Sequence, residues 1–186
     1  MNIMLKRTQT HQVVFYPLGP RDLADLHIWL NRPLMRRACR QNPISQAQVV
    51  AKYGPRIRGE EPIHCHLAFS EGDPFGFLQC YRLSDRSERP AIFESIEGVS
   101  VDLAIFEPQM IGKGFGRAML AGYLQHIVFS LFPAEQFCFI NFRSEDEAGI
   151  ACSKAVGFRY VRHFNEDNCE RVLLVFERDK TADSRG

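Results

Sequence analysis

Apolar and polar residues alternate along this chain at two different periods, and together these predict a mixed α+β fold. A period of two is typical of strands, whereas apolar residues at i, i+3, i+4 and i+7 are typical of amphipathic helices. Strands are predicted at residues 12–18, 62–69, 74–83, 97–106, 135–142, 158–164 and 171–176. The run at 97–106 alternates, whereas the run at 135–142 is almost continuously apolar, as expected of a buried parallel strand. The helix pattern occurs at residues 20–30, 45–57, 111–131 and in a segment that ends at Val156. We therefore expect a central twisted mixed sheet of about six to seven strands flanked by about four helices.

The strand at residues 97–106 carries the first candidate site residue. Its aliphatic side chains point to one face and Asp102 points to the other, together with Ser100 and Ala104. An unpaired carboxylate that was truly buried would cost several kcal/mol, so a strand that keeps one there is expected to open that face onto a cleft. Asp102 is therefore a candidate catalytic residue.

A glycine-rich turn follows this strand. After Pro108, the segment Ile111-Gly112-Lys113-Gly114-Phe115-Gly116 opens the helix predicted at residues 111–131. Alternate glycines expose backbone N–H groups at a helix N-terminus, where the macrodipole is positive, and such an end suits a phosphate. The order of residues excludes the nucleotide P-loop and the G-x-G-x-x-G dinucleotide fingerprint. A plain turn between strand and helix stays open at this point.

The order of strand, proline, G-x-G-x-G and helix resembles the coenzyme A loop of the Gcn5-related N-acetyltransferase (GNAT) family, and the resemblance covers nearly the whole chain. It implies the GNAT acyl-CoA N-acyltransferase fold, with the strand backbone pairing with the pantetheine arm and the loop amides holding the pyrophosphate. It also implies acetyl-CoA as cosubstrate, with no metal. The residues implied in coenzyme binding are Ile105, Ile111, Gly112, Lys113, Gly114, Phe115, Gly116 and Asp146.

Two branches of the family resemble this chain more closely than the rest. The family usually carries Gln or Arg where Ile111 stands, and an aliphatic residue there is similar to the aminoglycoside 6′-N-acetyltransferases and the siderophore hydroxylysine acetyltransferases. Counted back from Gly112, Asp102 takes the place of the catalytic aspartate of the aminoglycoside branch, where the siderophore branch has histidine. The resemblance therefore implies a catalytic role for Asp102 and favours the aminoglycoside branch.

The acceptor side is implied by shorter matches. Residues 29–33, Trp-Leu-Asn-Arg-Pro, resemble a signature that helps to wall the acceptor pocket in both branches, although a helix end with a core tryptophan fits equally well. Asn141 stands where the aminoglycoside branch has an aspartate, and a glutamate is expected to replace the missing charge. The substrate-binding residues so implied are Trp29, Asn31, Glu94, Glu97 and Asn141, with Glu145 as a further candidate for the charge.

Two departures concern the segment before Gly157. Aligned on Gly157 and Phe158, the pantetheine-contacting asparagine of the family becomes Asp146, and the tyrosine that protonates the thiolate becomes Ser153. A serine hydroxyl is a poor acid, so the proton donor stays unassigned. Ser144 and Glu147 have capping-box spacing, which gives the acidic run at residues 144–147 a structural explanation.

Length and composition limit the alternatives. At 186 residues the chain has the size of one domain, expected over residues 1–179 with a polar tail at 180–186. A net charge of +1 gives no overall positive potential that would attract nucleic acid. The basic cluster at residues 32–40 is interpreted as a solvent-exposed face. The six cysteines are scattered without zinc spacing and indicate reduced thiols. With no signal-like segment in residues 1–10, we expect a cytoplasmic protein that binds neither nucleic acid nor membrane.

These observations predict an enzyme that moves acetyl from acetyl-CoA to a primary amine, with an aminoglycoside 6′-amine as the leading acceptor. Another amine, such as hydroxylysine or a polyamine, is the alternative on the same scaffold. A protein that binds acyl-CoA without turnover is the alternative from a different class. The partner is a small-molecule amine in the first two cases, and a homodimer stays open.

Overall fold

A seven-stranded mixed sheet forms the centre of the computed structural model, which describes residues 11–39, 42–85, 93, 96–166 and 168–179. The strands lie in the order β1-β2-β3-β4-β5-β7-β6, and every neighbouring pair is antiparallel except β4 and β5. Their bounds are β1 Val14–Pro17, β2 His64–Ser70, β3 Asp73–Arg82, β4 Val99–Ile105, β5 Phe137–Arg143, β6 Arg159–Glu166 and β7 Cys169–Glu177. The predicted mixed sheet is confirmed.

Helices cover both faces of this sheet. They are α1 Leu23–Leu30, α2 Pro33–Cys39, α3 Gln46–Ile57, α4 Phe115–Tyr123, α5 Phe129–Leu131 and α6 Glu147–Val156. A π-helical segment, Leu124–Val128, joins α4 to α5, so the predicted long helix does reach Leu131. Helix α2 was not predicted, because Pro33 reads as a stop for α1. A proline at the first position of a helix loses no helical hydrogen bond, and the same residue therefore begins α2.

One helix start differs from the prediction. Helix α6 is capped by Asp146, whose Oδ1 accepts a hydrogen bond from the Gly149 amide at 2.9 Å, and the expected capping box of Ser144 with Glu147 is wrong. The Ser144 amide donates instead to the Glu170 carbonyl at 3.0 Å. Because this bond ties residue 144 to β7, the cap and the start of the helix lie two residues later than expected. In contrast, Ser45 caps α3 as expected, accepting from the Gln48 amide at 3.2 Å.

The two faces of β4 pack against different helices. Val99 and Val101 lie in one core cluster with Met119, Leu120 and Tyr123 of α4. The opposite face of the sheet packs against α1 and α3 in a second cluster, which includes Leu26, Trp29, Val49, Tyr53, Phe77 and Phe106. The predicted alternation along β4 therefore holds. It places Asp102 on the face that turns toward α1 and α3.

The sheet divides between β4 and β5. Only two residue pairs join these strands, Val99 with Cys138 and Ser100 with Phe139, and both strands then continue without pairing to each other. Gly98 allows the close approach at the base of this division. Its φ of 143° favours glycine, and an added Cβ would lie 2.6 Å from the Phe137 carbonyl oxygen.

Several predictions bear on the rest of the chain. In the described ranges, Cys65, Cys80 and Cys138 are buried free thiols, and Cys152 and Cys169 are free and partly exposed. Within those ranges no helix is long and apolar enough to cross a membrane, and no three His, Cys, Asp or Glu side chains are grouped as metal ligands. Glu94, Arg40 and the tail at 180–186 lie outside the described residues.

Candidate active site

A cavity of about 920 Å³ opens where β4 and β5 part. Its walls come from both strands, from the glycine turn, from the start of α6 and from α2. The predicted site residues that line it are Asp102, Ile105, Ile111, Gly112, Gly114, Gly116, Asn141, Glu145 and Asp146. Coenzyme, catalytic and acceptor candidates from distant parts of the sequence are thus brought together in one place.

The glycine turn has the backbone of an anion site. Gly112 and Gly114 have φ angles of 75° and 91°, in the left-handed region that favours glycine. Gly114 is the N-cap of α4 and supplies no side-chain hydrogen bond to the helix. The first amides of α4 are thus left without a side-chain cap beside the cavity, and Arg117 of the first turn lines the same wall. This wall fits the pyrophosphate of a coenzyme A.

Two predicted coenzyme residues, Lys113 and Phe115, do not line the cavity, and both contact His11. The His11 ring stacks on Phe115 with a centroid distance of 3.8 Å and an angle of 22°. His11 Nε2 lies 2.8 Å from the Lys113 carbonyl oxygen. These contacts brace the outer side of the turn and so maintain its shape.

The Asp102 carboxylate is held by a chain of hydrogen bonds. Gln79 of β3, which pairs with Asp102 in register, donates from Nε2 to Oδ2 at 2.7 Å. Arg56 of α3 donates from Nη1 to Gln79 Oε1 at 2.8 Å, and from Nε to Glu61 Oε2 at 3.1 Å. An arginine can only donate, so the amide oxygen of Gln79 must face Arg56 and its NH₂ must face Asp102. The chain therefore fixes the orientation of the carboxylate.

The opposite wall is basic. Asn141 lines the cavity as predicted, but its Oδ1 accepts a hydrogen bond from Arg171 Nη1 at 2.6 Å. Arg171 Nε also lies 2.9 Å from Glu166 Oε2. Arg143 lines the cavity beside them and donates from Nη1 to the Cys169 sulfur at 2.9 Å. The position that is acidic in the aminoglycoside branch is therefore neutral here and in contact with an arginine.

The remaining acceptor candidates lie outside the cavity lining. Trp29 is 8% exposed and stacks on Phe106, with a centroid distance of 4.2 Å and an angle of 6°. Asn31 holds the backbone of Ile44 on both sides, donating to its carbonyl at 2.8 Å and accepting from its amide at 2.9 Å. Both residues therefore support the helices and the loop at Ile44 that lie behind the cavity wall. Glu97 is exposed just before β4.

Ser153, at the usual tyrosine position, does not line the cavity. It is 1% exposed, and its hydroxyl has no hydrogen-bond partner among the described residues. Its neighbour Cys152 does line the cavity, and burial raises the pKa of that thiol despite the nearby Arg117. A protonated thiol is a poor nucleophile, which agrees with direct transfer to the amine.

Some lining residues escaped the sequence analysis. Leu34, Met35 and Arg37 come from the unpredicted helix α2, and Arg37 therefore does not lie on a purely solvated face. Arg32 of the same basic cluster donates to the Phe106 carbonyl at 3.0 Å and contacts Glu107. Arg143 could have been found, since strand alternation places it on the same face as Asn141. The role of Gln79 depends on the register of β3 with β4, which no local signal reveals.

Residues 19–166 match the family model described as acetyltransferase (GNAT) domain. The match spans most of the chain, and the chain therefore belongs to the GNAT acetyltransferase family. It is an acetyl-CoA-dependent N-acetyltransferase by class, as the family resemblance of the glycine turn and the strand before it implied. No curated protein matches the sequence.

Solved structures share the fold at low sequence identity. The aminoglycoside acetyltransferase AAC(6')-Ib in complex with coenzyme A is 21% identical with a TM-score of 0.82, over 94% of this chain and 100% of that chain. The same enzyme with coenzyme A and kanamycin is 22% identical with a TM-score of 0.80, over 94% and 100%. The spermidine N-acetyltransferase from Vibrio cholerae, in complex with coenzyme A and spermine, is 16% identical with a TM-score of 0.69, over 89% and 95%. This likeness concerns the fold.

Proposed function

We propose that this protein transfers acetyl from acetyl-CoA to a primary amine of a small molecule, and that Asp102 is the catalytic residue. The observation that carries the proposal is the placement of the Asp102 carboxylate in the cavity that also contains the glycine turn. A carboxylate there can accept a proton from an ammonium group or hold the amine in position. The chain of Gln79 and Arg56 leaves Oδ1 to face the amine, since Oδ2 accepts from Gln79.

The residues that line the cavity would have different roles in the reaction. Acetyl-CoA supplies an activated thioester when bound. The amides at the start of α4, Gly116 and Arg117 would hold its pyrophosphate, and the unpaired backbone of β4 would bind its pantetheine arm. A β4 amide would donate to the developing oxyanion. Asp102 would orient the amine nitrogen at about 3–3.5 Å from the acetyl carbon. The chain has no assigned donor to the leaving thiolate, since Ser153 is buried away from the cavity.

The leading acceptor to test is an aminoglycoside 6′-amine. Its support is the place of Asp102 and the shared fold with AAC(6')-Ib. A polyamine is the second, since the fold is also that of a spermidine acetyltransferase. Both are polycations, whereas the cavity wall carries three acidic side chains, Asp102, Glu145 and Asp146, against four basic ones, Arg37, Arg117, Arg143 and Arg171. The acceptor must therefore be established by turnover.

The experiment is acetyl transfer to tobramycin, neamine, N6-hydroxylysine and spermidine, with products detected by mass because the protein's own thiols react with thiol dyes. Asp102→Asn is measured beside the wild type, with Asp25→Asn on the exposed face of α1 as the matched control. We expect kcat/KM to fall about 10²–10⁴-fold in Asp102→Asn, with coenzyme A binding retained and the control unchanged. Binding of coenzyme A with no product from any amine would support the non-catalytic alternative and overturn the proposal.

A further inference from the structure

One peptide group of the glycine turn is hydrogen-bonded to a histidine that does not line the cavity. His11 Nε2 lies 2.8 Å from the Lys113 carbonyl oxygen. Because a carbonyl oxygen can only accept, Nε2 must carry a proton, as it does in one neutral tautomer and in the imidazolium. His11 therefore donates a hydrogen bond to the turn in either charge state.

The two ends of this peptide group point in opposite directions. The Lys113 carbonyl and the Gly114 N–H belong to the same planar trans peptide. Lys113 does not line the cavity, whereas Gly114 does. A bond that holds the carbonyl against His11 therefore directs the Gly114 N–H toward the cavity, at the N-cap of α4. This N–H would be one of the amides that bind the pyrophosphate.

The glycines of the turn allow this peptide group to rotate. Gly112 and Gly114 have φ angles of 75° and 91°, and glycine adopts positive and negative φ about equally well. Rotation of the 113–114 peptide changes φ of Gly114, and no Cβ at that residue opposes the change. Gly114 also supplies no side-chain cap to the helix. A hydrogen bond from another segment therefore favours one orientation of the N–H over the other.

The His11 ring is itself fixed by aromatic contacts. It stacks on Phe115 with a centroid distance of 3.8 Å and an angle of 22°. Phe115 packs edge-on against Phe75, with a centroid distance of 5.5 Å and an angle of 63°, and Phe75 is buried in the core. A Cβ added at Gly114 would lie 3.5 Å from His11 Nε2, so the ring lies directly against the turn. These rings connect the turn to the core of the protein.

We propose that His11 is a positioning residue for the coenzyme: it fixes the 113–114 peptide so that the Gly114 N–H faces the pyrophosphate. This inference rests on the proposed placement of the pyrophosphate at the glycine turn. An apparent Kd equals the intrinsic Kd divided by the fraction of protein in the binding-competent conformation. Since a net hydrogen bond corresponds to about fivefold in an equilibrium constant, a turn without this bond should bind coenzyme A about five- to tenfold more weakly.

Three variants separate the ring of His11 from its N–H. His11→Ala removes both contacts, His11→Phe keeps the stack without the donor, and His11→Gln keeps an N–H donor on a side chain of similar length. By calorimetry, we expect the Kd for coenzyme A to rise about tenfold in His11→Ala, about fivefold in His11→Phe and less than about threefold in His11→Gln. His126→Ala, at an exposed histidine of the π-helical segment, is the matched control. Thermal unfolding checks that each variant is folded.

A second acyl donor locates the effect at the pyrophosphate. Acetyl-CoA is compared with S-acetylpantetheine, which has the thioester and the pantetheine arm but no phosphate. With acetyl-CoA, His11→Ala should raise the KM for the donor about tenfold and change kcat and the KM for the amine by less than about twofold. With S-acetylpantetheine, kcat/KM should change by less than about twofold, because this donor does not use the Gly114 N–H. A general loss of structure would lower the rate with both donors.

The outcomes separate this inference from the proposed function. Unchanged binding of coenzyme A in His11→Ala, equal losses with both donors, or a His11→Gln variant that binds no better than His11→Phe would overturn the inference and leave acetyl transfer intact. The expected order of Kd values with no product from any amine would overturn acetyl transfer and support the inference. A wild type that uses S-acetylpantetheine as well as acetyl-CoA would overturn the placement of the pyrophosphate at the turn, and this inference with it.

Discussion

A histidine buried in the sheet should make the stability of this protein sensitive to mild acid. His66 of β2 is 7% exposed, and its Nδ1 lies 2.9 Å from the Tyr123 hydroxyl. That hydroxyl donates to the Cys80 sulfur at 3.3 Å, so the Nδ1–H of a neutral His66 is the donor to the tyrosine oxygen. Within the part of the chain that the structure describes, no carboxylate forms an ion pair with His66 that could stabilise a charged imidazolium. Burial, with a smaller effect of His64, lowers the pKa of His66 from its ordinary 6.5 to about 4.

The direction of the effect follows from the order of the two pKa values. Between about pH 6.5 and about pH 4 the unfolded chain binds a proton at His66 that the folded chain does not, so unfolding is favoured as the pH falls. The contribution is complete above the unfolded pKa of 6.5 and is lost as the pH decreases toward about 4. Since one pKa unit is about 1.4 kcal/mol, the full loss is about 3 kcal/mol, of which about 2.5 kcal/mol is reached by about pH 4.5.

The assay is urea unfolding of the wild type and His66→Gln from about pH 7.5 to about pH 4.5. Both proteins will lose stability as carboxylates become protonated, and only the difference between the two curves reports on His66. We expect the wild type to lose about 2.5 kcal/mol more than the variant over this range. His126→Gln, at an exposed histidine of the π-helical segment, should follow the wild type. Parallel curves for the wild type and His66→Gln would refute the reasoning.

Three further predictions concern the site and its support. Gln79→Leu removes the hydrogen bond that orients the Asp102 carboxylate, so kcat should fall about 10–100-fold. The KM for acetyl-CoA should change by less than about twofold. Unchanged steady-state kinetics would contradict this prediction. Gly98→Ala should lower the urea unfolding free energy by about 2–4 kcal/mol, because the new Cβ meets a strand carbonyl; a loss under about 0.5 kcal/mol would contradict it. Trp29→Ala should lower the free energy of unfolding by about 3–5 kcal/mol through the lost stack on Phe106, and Trp29→Phe should lower it by less. Equal melting temperatures for these two variants would disagree with this prediction.

The parts of the fold that follow from local pattern were predictable. Each strand end lies within two residues of its predicted place, because β-prone runs bounded by turn residues can be recognised in the sequence itself. The face occupied by Asp102 followed from the same alternation. The glycine turn was readable because left-handed φ angles at Gly112 and Gly114 require a particular residue type.

The other features depend on contacts between distant segments. Ser144 has good capping chemistry, but its amide is already used by β7, and the choice of Asp146 as cap could only be seen in the fold. Arg143 and Arg171 become neighbours through the register of β5 with β7. Arg56 reaches the site through Gln79, and neither residue is marked by any motif. Sequence reasoning therefore found the residues of the cavity wall around the glycine turn more completely than those of the wall formed by β5, β7 and α2.

The division between β4 and β5 leaves the sheet with two edges inside the molecule. Beyond Ser100 and Phe139, each of these strands has a sheet neighbour on one side only. An edge at the rim of a sheet can recruit a strand from another chain and so promotes aggregation. These internal edges line the cavity together with α2, the glycine turn and the start of α6. An extended molecule with amide groups can enter the cavity and pair with this backbone. Unpaired strand edges that would promote aggregation at the rim of a sheet are therefore available to a ligand here.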